Sequence, residues 1–489
     1  MRYRPTRWPG GCGVLVLELE RAGDERFGGG FGGRGLCLPF GDIELEISAG
    51  AAFAAFADTP GVAFLDSGGP VTARSRFSYL AVDPFHVIRS ADPWQELAEY
   101  LGRFRQVPSG PTPFTGGAVG FLSYELASTL DSVPGHVGPA GIPPCSIGFY
   151  DLVLAFDRQS GRAWLHSSGL PETVPAQRRA RAADRAAGVL ARLAPARARR
   201  QPDIRLAWRA ETGRAETGRA AHMARVAKAI AYIEAGDIYQ ANITAAFRAD
   251  RPAGVASADV YRVLRAQNPA PFAAYIAAGA DCAVASLSPE RFITLSAEGE
   301  IEARPIKGTS PRHADLVKDR ALAAALFASA KDRAENLMIV DLVRNDIARV
   351  ASPGSVHVPE LAVLESFAHV HHLVSSVRGR LGPGATATDL LRATFPAGSI
   401  TGAPKHRAQQ IIHELEPSAR GPYCGSVVWM GWDGAMDSSV AIRTATVTQE
   451  SVTIQAGGGI VADSDPAAEY EELLVKIRPL LRALGPFAG

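Results

Sequence analysis

At 489 residues, with 51 basic and 50 acidic side chains and a formal charge of +1, the chain is long enough for two or more folding units. It carries no global field that would draw it onto nucleic acid or an anionic membrane, so an anionic ligand must be met by a local site. The five cysteines (Cys12, Cys37, Cys145, Cys282 and Cys424) have no paired short spacing, which argues against a disulfide framework or a zinc site and fits a reducing cytoplasm. No apolar run approaches the roughly 18 residues of a membrane span, and charges in GGCGVLVLELERAGDE interrupt the N-terminal apolar stretch too early for a secretion signal.

In chain order, residues 1–40 are Gly-rich and without a sustained period, and are expected to form a loose extension. Between 41 and 168, the β-prone runs GVAFLDS, RFSYLAV, GGAVGFLSYE and IGFYDLVLAFD are punctuated by Gly, Pro and Asp, as antiparallel strands are. An Arg/Ala-rich stretch over 172–220 predicts a helix near 177–193, followed by a tandem RAETG at 209–213 and 214–218. Such a duplication is tolerated in an exposed connection, which places the boundary between an N-terminal region, 41–205, and a second domain, 206–489. Met223, Val226, Ile230 and Ile233 then recur at helical spacing and stop before Gly236, a suitable C-cap. Beyond them helices and strands mix without regular alternation, which predicts an α+β fold: antiparallel sheets packed as a sandwich, with helices outside.

KDRAENLMIVDLVRNDI predicts a helix over about 331–347, with Asp332 and Glu335 three residues apart on one face. DSDPAAEYEELLVKI repeats the device: Asp465 caps, Pro466 opens the helix, and Glu469, Glu472 and Lys476 line one face. Two helices that each offer a carboxylate pair can converge on a hard cation such as magnesium. The segments SLSPERF, EARPIKGTSPR, HHLVSSVRG, FPAGSITGAPK, RGPYCGS, AIRTA and AGGGIVADSDP combine Gly/Ser/Thr turns with isolated Arg, Lys and His residues. Backbone N–H groups in such turns approach anions closely, and a neighbouring Arg grips a carboxylate in a fork, so together they describe a pocket for a small, multiply carboxylated molecule.

In these segments, densely from about 219 to 476, the chain resembles the chorismate-utilising enzymes, the family of anthranilate, aminodeoxychorismate, isochorismate and salicylate synthases. FLDS, SRFSYL and FTGGAVGFLSYE extend the likeness more loosely into the N-terminal half. The resemblance implies that 206–489 is the chorismate-binding catalytic domain, and that Glu335 and Glu472 hold Mg²⁺ while Asp332 and Glu469 hold its waters. Asp332 departs from the Glu usual at that position. It implies that Tyr423 and Arg443 receive the enolpyruvyl carboxylate, and that the backbone of Gly457, Gly458 and Gly459, with Lys476, receives the ring carboxylate. Glu290 would be the general acid, and His372 and Thr401 would orient the substrate in a pocket that also includes Gly308 and Thr309.

Two positions separate the family's reactions. Gln240 stands where relatives that add water to chorismate carry a lysine base, which disfavours isochorismate and salicylate synthesis. Lys307, in PIKGT, resembles the aminodeoxychorismate branch, where the lysine attacks C2, whereas anthranilate synthases, the alternative reading, typically show PIAGT. The resemblance implies chorismate and ammonia as substrates, a separate glutamine amidotransferase subunit as the source of ammonia, and a downstream aminodeoxychorismate lyase. Asp66 and Ser67, in FLDS, mark the region that holds tryptophan as an effector in some relatives.

Overall fold

The computed structural model describes residues 2–5, 15–20 and 47–487, apart from 107–109, 132, 140, 196–201, 211–217 and 368–369. Most of the 1–40 extension and of the RAETG duplication therefore lies outside the described residues. Within the extension, Arg2–Pro5 and Leu15–Glu20 form two strands, the second pairing Leu15 with Ser167 at the edge of a large sheet. Leu15–Glu20 lies between Arg2–Pro5 and Ala163–Ser167 in the sheet order, so this piece of the expected loose extension is part of the sheet.

The chain folds into two antiparallel sheets, of thirteen and ten strands among the described residues, with helices on their outer faces. Strand Leu152–Asp157 explains the arrangement: Leu152, Leu154 and Phe156 join a core under the helices, while Val153 and Ala155 join a core shared with the second sheet. A strand alternates faces residue by residue, so one buried on both sides reads as continuous apolar sequence. The inter-sheet core draws Tyr79, Val153 and Ile276 from the large sheet and Val119, Phe121 and Val427 from the smaller one. Outside the smaller sheet, Trp94, Leu97, Val340, Ile347, Leu390 and Leu391 pack helices Trp94–Arg103, Ala330–Ala348 and Ala387–Thr394 against it.

Both sheets take strands from either side of residue 205: Ala63–Asp66 pairs with Phe272–Gly279, and Gly117–Leu122 with Ser426–Gly431. The two sequence regions are thus interleaved through their hydrogen-bond ladders. Helix Pro175–Leu193 contains the stretch expected near 177–193, and helix Gly218–Glu234 ends before Gly236, which takes φ +83°. Among the described residues no helix is long and apolar enough to cross a membrane.

Candidate active site

Two helix starts and two strand ends meet at one place. Helix Ala330–Ala348 begins at Ser329, whose hydroxyl accepts the Asp332 N–H at 3.2 Å. Helix Pro466–Leu484 begins at Asp465, whose carboxylate accepts the Ala468 N–H at 2.8 Å, with Pro466 in the first turn where its missing N–H costs nothing. Asp332 and Glu469 stand in the helices' first turns, and Glu335 and Glu472 one turn further on. Gly308, at φ +89°, lays the turn after Lys307 on the first of these helices: a Cβ there would meet the Asp332 Cβ at 3.0 Å. Across the second helix, a Cβ on Gly458 would lie 2.8 Å from Glu469 Oε2.

Lys307 lies at the centre of this group. A Cβ on Gly459 would stand 3.1 Å from its Nζ and 2.9 Å from Gln240 Nε2, so the glycine opens the space that the amine and the amide occupy. Burial pushes the Lys307 pKa down and the Lys476 charge adds to this, against Glu335, Glu290 and Glu472. Glu290 is driven the other way: burial raises its pKa, opposed by the Ser399 hydroxyl that donates to Oε1 at 2.9 Å and by Lys307. Burial thus disfavours the charged form of both the Lys307 amine and the Glu290 carboxyl, and the two groups sit in mutual electrostatic range.

The carboxylates form an uneven field. Burial raises the Glu469 pKa and the Glu472 charge raises it further, against Ser464, Lys476 and Lys331. Burial also acts to raise that of Glu472, but Lys476, Lys307 and Lys331 outweigh it and the net shift is down. Lys476 bridges helix and strand, pairing with Glu472 at 2.8 Å and donating to the Gly457 carbonyl at 2.9 Å. Asp332 and Glu335 have no side-chain hydrogen bond or ion pair among the described residues, which leaves their oxygens available to a hard cation. No three ligating side chains among the described residues close into a metal cage. One or two protein carboxylates with water suit magnesium, which keeps much of its hydration, better than a dedicated cage would.

The remaining pocket residues divide. Gln240 is 0 % exposed, and both polar atoms of its amide are buried without a protein partner, an arrangement a ligand would relieve. Thr309 lies opposite His372 across an antiparallel pair, its hydroxyl 2.8 Å from Nδ1, and burial followed by the Arg443 charge keeps the imidazole pKa low. Arg443 takes φ +50° and carries no ion pair among the described residues, and partial withdrawal of its guanidinium from water lowers its pKa. Tyr423 is 4 % exposed, its phenol kept neutral by burial. Thr401 is 0 % exposed and donates its hydroxyl to the Ala397 carbonyl at 2.9 Å, so it stabilises the turn of SITGAPK.

Asp66 and Ser67 lie elsewhere, on a cavity of about 820 Å³ whose walls come from both sheets. Asp66 is paired with Arg265, and the Ser67 hydroxyl donates to the Phe77 carbonyl at 2.6 Å, so the fold already uses both side chains. Sequence reasoning missed Ser399 and Lys331. Ser399 stood inside a quoted motif, FPAGSITGAPK, without any signal that its hydroxyl meets Glu290, and Lys331 was one more charge on a charged helix.

The chorismate binding enzyme family profile matches residues 63–482. Aminodeoxychorismate synthase component 1 of Klebsiella aerogenes is 41 % identical over 456 residues, covering 88 % of this chain and 95 % of that protein. Anthranilate synthase component 1 of Streptomyces coelicolor is 40 % identical over 458 residues, covering 90 % and 87 %. The crystal structure of anthranilate synthase component I from Streptococcus pneumoniae superposes with a TM-score of 0.72 at 29 % identity, over 85 % of this chain and 94 % of the other. With its family profile spanning both halves and its acids, lysines and glycine strand gathered at one place, the chain belongs to the chorismate binding enzymes.

Proposed function

We propose that this chain is component I of an aminodeoxychorismate synthase, which replaces the C4 hydroxyl of chorismate with an amino group drawn from ammonia. The observation that carries this reading is the Lys307 amine, of lowered pKa, in the field of Glu290, Glu335 and Glu472 and beside Gln240. A lowered pKa favours the neutral, nucleophilic form of a lysine, and Gln240 cannot take a proton from water as a base would. The identity to aminodeoxychorismate synthase component 1 agrees, although anthranilate synthase component 1 is as close.

In the proposed reaction Glu290 protonates the C4 hydroxyl, which leaves as water as the neutral Lys307 amine adds to C2 and the ring double bonds shift. Ammonia then adds to C4, the double bonds shift back, and Lys307 is expelled as a neutral amine. The new ammonium returns its surplus proton to Glu290, so the acid is restored and the enolpyruvyl group is kept. Magnesium, held by Glu335 and Glu472 with waters on Asp332 and Glu469, would supply positive charge to the ring carboxylate. Arg443 and Tyr423 would take the enolpyruvyl carboxylate, and Lys476 with the backbone at Gly457, Gly458 and Gly459 the ring carboxylate. A glutamine amidotransferase subunit in the cytoplasm would provide the ammonia. A separate lyase would convert the product to 4-aminobenzoate, toward folate.

The test is to incubate the protein with chorismate, Mg²⁺ and ammonium at about pH 8, where free ammonia is available, and separate the products by chromatography and mass. Aminodeoxychorismate from the wild type, with severe loss in Lys307→Ala, supports the reading. Anthranilate and pyruvate in its place would assign amination to C2 and make the chain an anthranilate synthase component I.

A further inference from the structure

The strand pair that carries the active site has a second concave surface at its other end. Gln240–Asp250 and Ser451–Ile460 pair from Ala241 with Ile460 to Asp250 with Ser451, so Gln240 and Arg248 lie at opposite ends of one strand. Eight residues of strand separate them, about 26 Å at 3.3 Å per residue. Around Arg248 is a cavity of about 630 Å³, to whose walls His136, Thr446, Thr453 and Gln455 contribute.

Three of these side chains form a row. Arg248 is directly opposite Thr453, and Thr453 is directly opposite Thr446 on the next strand. Residues directly opposite one another in an antiparallel sheet project to the same face, with Cβ atoms about 5 Å apart. Neither threonine hydroxyl has a protein hydrogen-bond partner among the described residues, although Thr446 is 4 % exposed. The row therefore presents a guanidinium and two free hydroxyls to one cavity.

Arg248 also lacks a direct partner acid, although Asp250, itself paired with Arg209, lies within its electrostatic range. Several other arginines are tied to acids: Arg76 to Asp157, Arg265 to Asp66, Arg291 to Asp437 and Arg420 to Glu416. Arg248 has no ion pair among the described residues, and its Nε is buried without an acceptor, as is the Nε2 of His136 in the same wall. Glu450 also lines the cavity, but it is exposed, so water screens its charge. A buried N–H is expected to have an acceptor, and the fold supplies none here.

We infer that this cavity is a binding site for a small anion bearing a phosphate or carboxylate group, gripped by Arg248 with Thr453 and Thr446 as hydroxyl donors. Guanidinium recognises both groups through paired N–H donors, and the threonines would take the remaining oxygens. The site has a route to the reaction centre. Gln455, in its wall, donates to the Arg420 carbonyl at 2.9 Å, and the Arg420 guanidinium reaches the carbonyls of Ile400 and Asn242 beside the substrate loops.

Calorimetric titration tests the inference, with inorganic phosphate in one series and malonate in another at fixed ionic strength. Wild type, Arg248→Gln, the near-isosteric Thr453→Val and Arg443→Gln are compared, the last removing an anion contact of the active site. The expected result is a saturable event that weakens at least ten-fold in Arg248→Gln, weakens in Thr453→Val and persists in Arg443→Gln. The tighter of the two anions then names the head group. Absence of a saturable event in both series, or an event that Arg248→Gln leaves unchanged, overturns the inference.

Discussion

Ser399 donates its hydroxyl to Glu290 Oε1 at 2.9 Å, and this bond decides how the acid presents itself. With Oε1 accepting, a proton bound to this carboxyl belongs on Oε2. The bond also favours the ionised form and so restrains the rise in pKa that burial imposes. Ser399→Ala is therefore expected to lower kcat about ten-fold with little change in KM, as the loss of one orienting hydrogen bond does. In the proposed reaction Glu290 must be protonated to act as general acid, so activity is expected to fall as pH rises through its pKa. Without the serine that pKa rises further, and the alkaline limb of the pH–rate profile should move to higher pH. An unmoved limb would show that Ser399 merely packs.

Gly459 tests whether the space around Lys307 is required. Its backbone is not left-handed, so alanine is conformationally allowed, but the new Cβ would fall 2.9 Å from Gln240 Nε2 and 3.1 Å from Lys307 Nζ. Gln240 is fully buried and held in register opposite Ala403, so the lysine has to move. Displacing a reacting group by about 1 Å costs about 100-fold in rate. Gly459→Ala is expected to lose that much turnover while its thermal midpoint falls by only a few degrees. Wild-type turnover in this variant would remove Lys307 from the reacting position.

The two acidic helices were legible because their signals are local. Asp465 and Pro466 announce a helix start, and i, i+3 spacing puts Glu469 and Glu472 on one face whatever surrounds them. The sandwich was legible as strands but not as pairings. Asp66 lies opposite Ala273 across more than 200 residues of sequence, and no local pattern encodes that register, so two interleaved regions read as two successive ones. Helix Ala49–Phe56 escaped notice because AGAAFAAF is apolar on every side and shows no period. At the site the charged residues stood out by type and motif. Ser399 and the buried, unpartnered amide of Gln240 acquire meaning only when strands distant in sequence are brought together.

Glu125 supplies a pH dependence of stability that is independent of the reacting groups. Its carboxylate is buried against the turn before Tyr423, accepting the Arg420 N–H at 2.7 Å and the Gly421 N–H at 3.0 Å. Burial is the largest influence and raises its pKa to about 7 from an ordinary 4.5, although these backbone donors and the Arg420 charge oppose it. Between those values the folded chain holds a proton that the unfolded chain has released. The contribution is thus fully present below about pH 4.5 and is lost as pH rises through about 7, with an upper scale of about 3 kcal/mol at 1.36 kcal/mol per pKa unit. Glu125→Gln cannot ionise and keeps an oxygen to accept from the same N–H groups. Its melting temperature relative to wild type is expected to rise steadily between pH 5 and pH 7.5, read by calorimetry in buffers of equal ionic strength. A difference that stays flat over that range would mean that Glu125 is already ionised at pH 5 and that its backbone donors outweigh the burial.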